Sequence, residues 1–153
     1  MNSSGPGNLP DLVPELAVMD LQASRHFWVD LLGFQLKYER PEERFAYIVL
    51  GSAHVMLDQI GQTRTWETGP LTAPFGRGIN FEITVQDVQV ILDRLSGANW
   101  PLFMELEEKW YRVGDQETGV RQFLVQDPDG YLVRLSQSLG LRLRETVKGE
   151  EAG

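Results

Sequence analysis

The sequence predicts an α+β protein built from two βαβββ modules, and two observations carry that reading. A strand–helix–strand–strand–strand order runs over residues 13–59 and restarts at residue 79. The helix signals recur in both copies: Asp20 and Asp87 precede the helical stretches, and Gly33 and Gly97 close them. A capping aspartate accepts hydrogen bonds from the unpaired first-turn amides, and a glycine past the last turn readily turns left-handed. One helix per module beside antiparallel runs argues α+β rather than a doubly wound parallel sheet. A repeat of this size points to two similar units within one structure.

The elements follow in order. Residues 13–18 form a short, apolar-biased run that reads as a strand. Residues 21–32 read as a helix, with Leu21, Phe27, Trp28, Leu31 and Leu32 gathering its apolar surface on one side. Residues 34–39 alternate, setting Phe34, Leu36 and Tyr38 against Gln35, Lys37 and Glu39. Pro41 marks a turn, and strands 45–50 and 54–59 flank the hairpin-like Gly51-Ser52-Ala53. Residues 61–77, rich in Gly, Thr and Pro, form a long connection.

In the second copy residues 79–85 read as a strand. Val88, Ile91, Leu92 and Leu95 then fall at helical spacing within residues 88–96. Residues 100–105 are expected as a strand, and the charged, mixed residues 107–118 as a mobile loop. Strands 120–126 and 131–137 meet across Asp127-Pro128-Asp129-Gly130, a strong turn sequence. The expected organisation is a flexible segment 1–10, one domain 11–138 (modules 11–60 and 78–138), and a tail 139–153 forming a short helix that frays.

Composition narrows the function. The chain has 153 residues, 42% hydrophobic and 24% charged, as in ordinary globular proteins. It has no cysteine, which excludes disulfides, thiolate zinc sites and a cysteine nucleophile. The two histidines, His26 and His54, leave little for a histidine-rich metal site. No apolar run reaches the roughly 18 residues of a membrane helix, and residues 1–10 lack the features of a secretory signal. A cytoplasmic protein is the expectation, with no membrane partner. A net charge of −8 disfavours nucleic acid and favours a cationic small molecule, although acidity also serves solubility. No GxSxG and no phosphate-cradling glycine loop is present.

Strand alternation names an inner face: Val13 and Glu15; His54, Met56 and Asp58; Asn80, Glu82 and Thr84; Leu132, Arg134 and Ser136. The opposite parity, with Ile79, Phe81, Ile83, Val133 and Leu135, suits packing under the helices. Polar residues facing inward in both modules suggest a wet ligand cleft. The plainer alternative is that Glu82 pairs with Arg134 and Asp58 is solvated at a strand end.

The segments VPELAVMDLQASRHFWVDLLGF (residues 13–34), GINFEITVQDV (78–88) and QDPDGYLVRLSQ (126–137) resemble the vicinal oxygen chelate superfamily of glyoxalases, extradiol dioxygenases and bleomycin-resistance proteins. Pro14, the FWVDLLGF motif and Arg121-Gln122-Phe123 bring the chain closest to the bleomycin-resistance proteins. The resemblance implies curled mixed sheets around a cleft, in a homodimer with clefts shared between subunits. Metalloenzyme members place His or Glu ligands at positions that fall here on Val13, Asp58, Asn80 and Arg134. Valine and arginine cannot ligate, so no metal and no cofactor is expected. The resemblance also implies that Gly119 stands where bleomycin-resistance proteins often carry a tryptophan, for which Trp110 is a substitute.

The expected ligand residues are Glu15, His54, Asp58, Trp66, Asn80, Glu82, Trp110 and Arg134. Loop tryptophans can stack flat rings and hold cations over their faces, with dimer packing as the rival role. The expected function is stoichiometric sequestration of a small cationic aromatic antibiotic of the bleomycin type, with no catalysis. The alternatives are a divergent glyoxalase- or dioxygenase-type enzyme, with a displaced metal at Glu15, His54, Asp58 or Glu82 or metal-free acid–base work by a carboxylate there, and a sensor domain that has kept only the fold.

Overall fold

The protein is described by a computed structural model covering residues 9–64 and 66–144. The described chain forms two compact units. The first runs to Arg77 and takes in Asp127–Tyr131; the second holds Gly78–Gln126 and the chain from Leu132 onward.

In the first unit, strand β1 (Glu15–Val18) leads into helix α1 (Leu21–Arg25), which winds on as a π-helical segment, His26–Leu31. Strands β2 (Gln35–Arg40), β3 (Phe45–Leu50) and β4 (Ala53–Gln59) follow, and the sheet order is β1-β4-β3-β2. β1 runs parallel to β4, and the other pairs are antiparallel. The Asp20 Oδ1 accepts from the amides of Gln22 and Ala23, so the expected cap is in place. The wider π turn lets the adjacent pairs Phe27–Trp28 and Leu31–Leu32 all bury. Gly33, at φ 98°, closes the helix.

One face of this sheet packs Leu16, Val18, Ala46, Ile48, Val55 and Leu57 beneath the helix. Trp28 meets Phe27 and Phe34 edge-on, with ring centroids 5.8 and 5.3 Å away. Its indole Nε1 donates to Asp127 Oδ2 at 3.1 Å. The other oxygen of Asp127 accepts from the backbone of Asp129 and Tyr131 at 2.9 and 2.8 Å. Tyr131 donates its hydroxyl to the Ala17 carbonyl, and the Asp129 carboxylate accepts from the Met19 amide. The sequence marks residues 127–130 as a turn; the fold makes that turn part of the first unit's core.

In the second unit, β5 (Asn80–Thr84), α2 (Val88–Gly97), β6 (Met104–Val113), β7 (Gln116–Gln126) and β8 (Leu132–Leu143) give the sheet order β5-β8-β7-β6. β5 and β8 are parallel. Asp87 caps α2 through the Gln89 amide, and Gln137 Oε1 takes the Val88 amide. Ile83, Val88, Ile91, Leu95, Phe123, Val125, Val133 and Leu135 form the core. Gly97 is the last helical residue, and the left-handed residue is Asn99, at φ 55°.

Three expectations are corrected here. Residues 107–118 are a hairpin, not a loop: β6 and β7 pair from Met104↔Leu124 to Val113↔Gln116 across the two-residue turn Gly114-Asp115. Charges on both faces hide the alternation, while Gly114, at φ 66°, supplies the turn. Residues 100–103 are not strand, and β6 begins at Met104. Residues 139–143 continue β8 instead of forming a helix; residues 145–153 of the expected tail lie outside the described residues.

Candidate functional site

In the first unit, the register places Glu15, Ala17, His54, Met56, Asp58, Phe45, Tyr47, Tyr38 and Arg40 on the sheet face away from the helix. Three of the expected site residues meet there. Glu15, Asp58 and Trp66, with Ala17, line a small cavity of about 60 Å³. Asp58 is only 4% exposed, and its Oδ1 has no hydrogen-bond partner. Burial pushes its carboxyl above the ordinary range, with Glu43 adding to the rise; Arg40 and a hydrogen bond from Thr63 act against it. Glu15 is raised in the same direction, first by desolvation and then by the charge of Asp58. Trp66 is 73% exposed, and the Arg64 guanidinium carbon lies 4.1 Å from its ring centroid. The result is an acidic niche with an aromatic edge, sized for a cationic head group.

His54 lies on the same face. Its Nδ1 is 2.8 Å from the Tyr47 hydroxyl. Burial, and then the charge of Lys37, lower the His54 pKa; burial raises that of Tyr47. The phenol either gives its proton to Nδ1, which puts the ring hydrogen on Nε2, or accepts from Nδ1–H, which leaves Nε2 a lone pair; in both cases Tyr47 fixes the orientation of the ring. Among the described residues no group of three or more His, Asp or Glu is arranged to hold a metal ion. The positions that the resemblance aligns with the metalloenzyme ligands include Val13 and Arg134, neither of which offers a lone pair, so that donor set does not fit the metal.

The second unit presents its own polar face. Asn80, Glu82 and Thr84 pair with Leu132, Arg134 and Ser136, so Arg134 stands level with Glu82 rather than with Asn80. Arg134 Nη2 lies 3.4 Å from Glu82 Oε1, a loose and partly exposed pair. Trp110 does not join this face. It pairs across the ladder with Gly119, on the side of Phe123 and Leu135. A Cβ on Gly119 would lie 2.6 Å from the indole ring, and the Arg142 guanidinium caps that ring at 3.7 Å. Trp110 thus covers the very glycine for which the resemblance makes it a substitute.

Some residues of these faces escaped the sequence reading. Tyr38 and Arg40 join the first unit's polar face because a bulge between Leu36 and Tyr38 breaks the alternation. Tyr38 then stacks on Tyr47 at 5.0 Å, and the Arg40 guanidinium sits 4.0 Å from the Phe45 ring centroid. In the second unit the buried Gln122 donates to Glu107 and to the Tyr111 hydroxyl. Glu107 and Tyr111 belong to the hairpin read as a loop. The Gly114-Asp115 turn was the signal that could have recovered them.

Comparison with known proteins places this architecture. The profile of the Glyoxalase/Bleomycin resistance protein/Dioxygenase superfamily matches residues 12–135. A member of that superfamily from Vibrio splendidus 12B01 is 38% identical, over 82% of this chain and 95% of its own, with a TM-score of 0.38. TioX from Micromonospora sp. ML1 is 26% identical, over 84% of this chain and 98% of its own, with a TM-score of 0.66. A glyoxalase/bleomycin resistance protein/dioxygenase from Alicyclobacillus acidocaldarius shares the fold at 16% identity, over 89% and 95%, with a TM-score of 0.57. No curated protein matches the chain. The repeated strand–helix–strand order, the two four-stranded sheets and the match over residues 12–135 lead to one assignment: the chain belongs to the glyoxalase/bleomycin resistance/dioxygenase superfamily.

Proposed function

We propose that this protein binds and sequesters a small cationic aromatic molecule of the bleomycin type, without making or breaking a bond. The observation that carries the reading is the Glu15–Asp58–Trp66 cavity, where a buried carboxylate oxygen lacks a partner. A ligand ammonium or amidinium would supply the missing donor and relieve the charge burial at Asp58. Trp66 is exposed, with Arg64 over its ring, and would cover the ligand's adjoining ring by exchanging that guanidinium for it or by using its other face. On the same face of the first unit, His54 would offer its Nε2 edge to a polar ligand group, and the Asn80, Glu82 and Arg134 face of the second unit offers polar groups of its own to a ligand. In this reading the protein acts as a cytoplasmic homodimer with no cofactor.

Calorimetric titration with metal-free bleomycin tests it. Saturable binding near one ligand per chain, weakened at least tenfold by Asp58→Asn and by Trp66→Ala, is expected. Heat no greater than that from an unrelated acidic protein, at two temperatures, would remove the reading. Attention would then pass to small carbonyl or thiol substrates.

A further inference from the structure

A second cavity, of about 560 Å³, lies wholly within the second unit and shares no residue with the Glu15–Asp58–Trp66 niche. Its size falls in the range of small-molecule sites. One wall is the last two turns of α2, with Leu92, Asp93 and Leu95. The other is the segment entering β6, with Trp100, Leu102 and Glu105. That second wall is fixed in place. The Trp100 amide donates to the Leu95 carbonyl and its indole Nε1 to the Gln126 carbonyl, both at 2.9 Å, and the Phe103 amide donates to the Leu124 carbonyl at 2.8 Å. Such a wall is set before any ligand arrives, which spares the ordering cost of binding.

Asp93 and Glu105 are this cavity's only charged lining residues among the described residues. The rest of the lining mixes Leu92, Leu95, Leu102 and the Trp100 indole with the polar Gln89, Ser96 and Asn99. Asp93 Oδ1 takes one hydrogen bond, from Gln89 Nε2 at 2.9 Å.

We infer that this cavity is a ligand site for a linear aliphatic di- or triamine. Its ammonium ends would pair with Asp93 and Glu105, and its methylenes would lie along Leu92, Leu102 and the Trp100 ring. Spermidine is the probe, titrated into the full chain and followed by calorimetry and by amide chemical shifts. Saturable binding is expected, with shifts centred on α2 and residues 99–105. The Asp93→Asn/Glu105→Gln double variant should lose at least about tenfold in affinity, the equivalent of about 1.4 kcal/mol. Ser96→Lys, an exposed helix position that brings an ammonium of its own to the rim, should block binding while the melting temperature holds. Asp58→Asn should leave spermidine binding intact, which separates this site from the proposed drug niche. Affinity unchanged in the double variant and in Ser96→Lys would overturn the inference, as would loss of binding in Asp58→Asn alone. Unsaturable binding that simply follows ionic strength would overturn it too.

Discussion

Replacing Trp28 with phenylalanine tests how the first unit is held together. The indole is fully buried, and its Nε1 donates to Asp127 Oδ2 at 3.1 Å. Losing a hydrogen bond to a buried carboxylate costs roughly 1.5–3 kcal/mol. The smaller ring leaves a void worth about 1 kcal/mol more. The expected loss at pH 7.5 is therefore about 2.5–4 kcal/mol. The pH dependence makes the test specific. Burial lifts the Asp127 carboxyl from 3.8 to about 6, against the pull of the Trp28 hydrogen bond. A folded-state value above the unfolded one means that the group's stabilising contribution is fully present below 3.8 and is lost as pH rises through about 6. That interval corresponds to about 3 kcal/mol for this group. At pH 5 Asp127 is largely protonated, so the indole bond is worth less, and Trp28→Phe should cost only about 2 kcal/mol. Urea unfolding of both proteins at the two pH values measures this, and the other carboxylates cancel in the comparison. A loss below about 1 kcal/mol at pH 7.5, or an equal loss at both pH values, would refute the reasoning.

Other outcomes follow from the same geometry. Asp58→Asn removes a charge that burial penalises, so the melting temperature should rise by roughly 2–4 °C at pH 7.5. Because burial raises the Asp58 pKa in the fold, the gain should be full at pH 7.5 and shrink as acidification protonates the carboxyl; calorimetry across a falling pH series checks it. Lys37→Gln removes a charge that helps keep His54 neutral, and the imidazole titration followed by NMR should move upward. Gly119→Ala puts a methyl group where the Trp110 ring lies, which should eject the indole, red-shift its fluorescence and cost about 1 kcal/mol. Gly130→Ala should be worse, at about 3 kcal/mol or more. There φ is +101°, and the new Cβ would lie 2.4 Å from Pro74; a urea midpoint within error of the parent's would contradict this.

Much of the fold was legible because its signals are local. Asp20 and Asp87 cap as expected, and the strand order repeats. What escaped depends on contacts distant in sequence or on irregular backbone. The hairpin over residues 107–118 carries charge on both faces, and its second strand is tied to β8 by the Arg142–Glu117 pair, at 3.0 Å. No local periodicity displays such pairs. A single bulge moved Tyr38 to the face opposite Leu36. The meeting of Glu15, Asp58 and Trp66 was half visible: alternation gave the two carboxylates a common face, but Trp66 stands in a connection with no periodicity. Trp110 was singled out for its type, and only the β6–β7 register shows which way it faces.

The duplicated pattern of the sequence also bears on how the protein is made. A ribosome delivers residues in order, yet the first unit takes in Asp127–Tyr131. Trp28 waits for a partner 99 residues downstream, and the Ala17 carbonyl for one 114 residues downstream. A nascent chain that has reached Arg77 has synthesised every strand of its first sheet but holds an indole N–H with no acceptor. Completion of the early half must follow synthesis of most of the later half. Gene fragments cut at the apparent repeat boundary would separate two similar sequences without separating two self-sufficient folds.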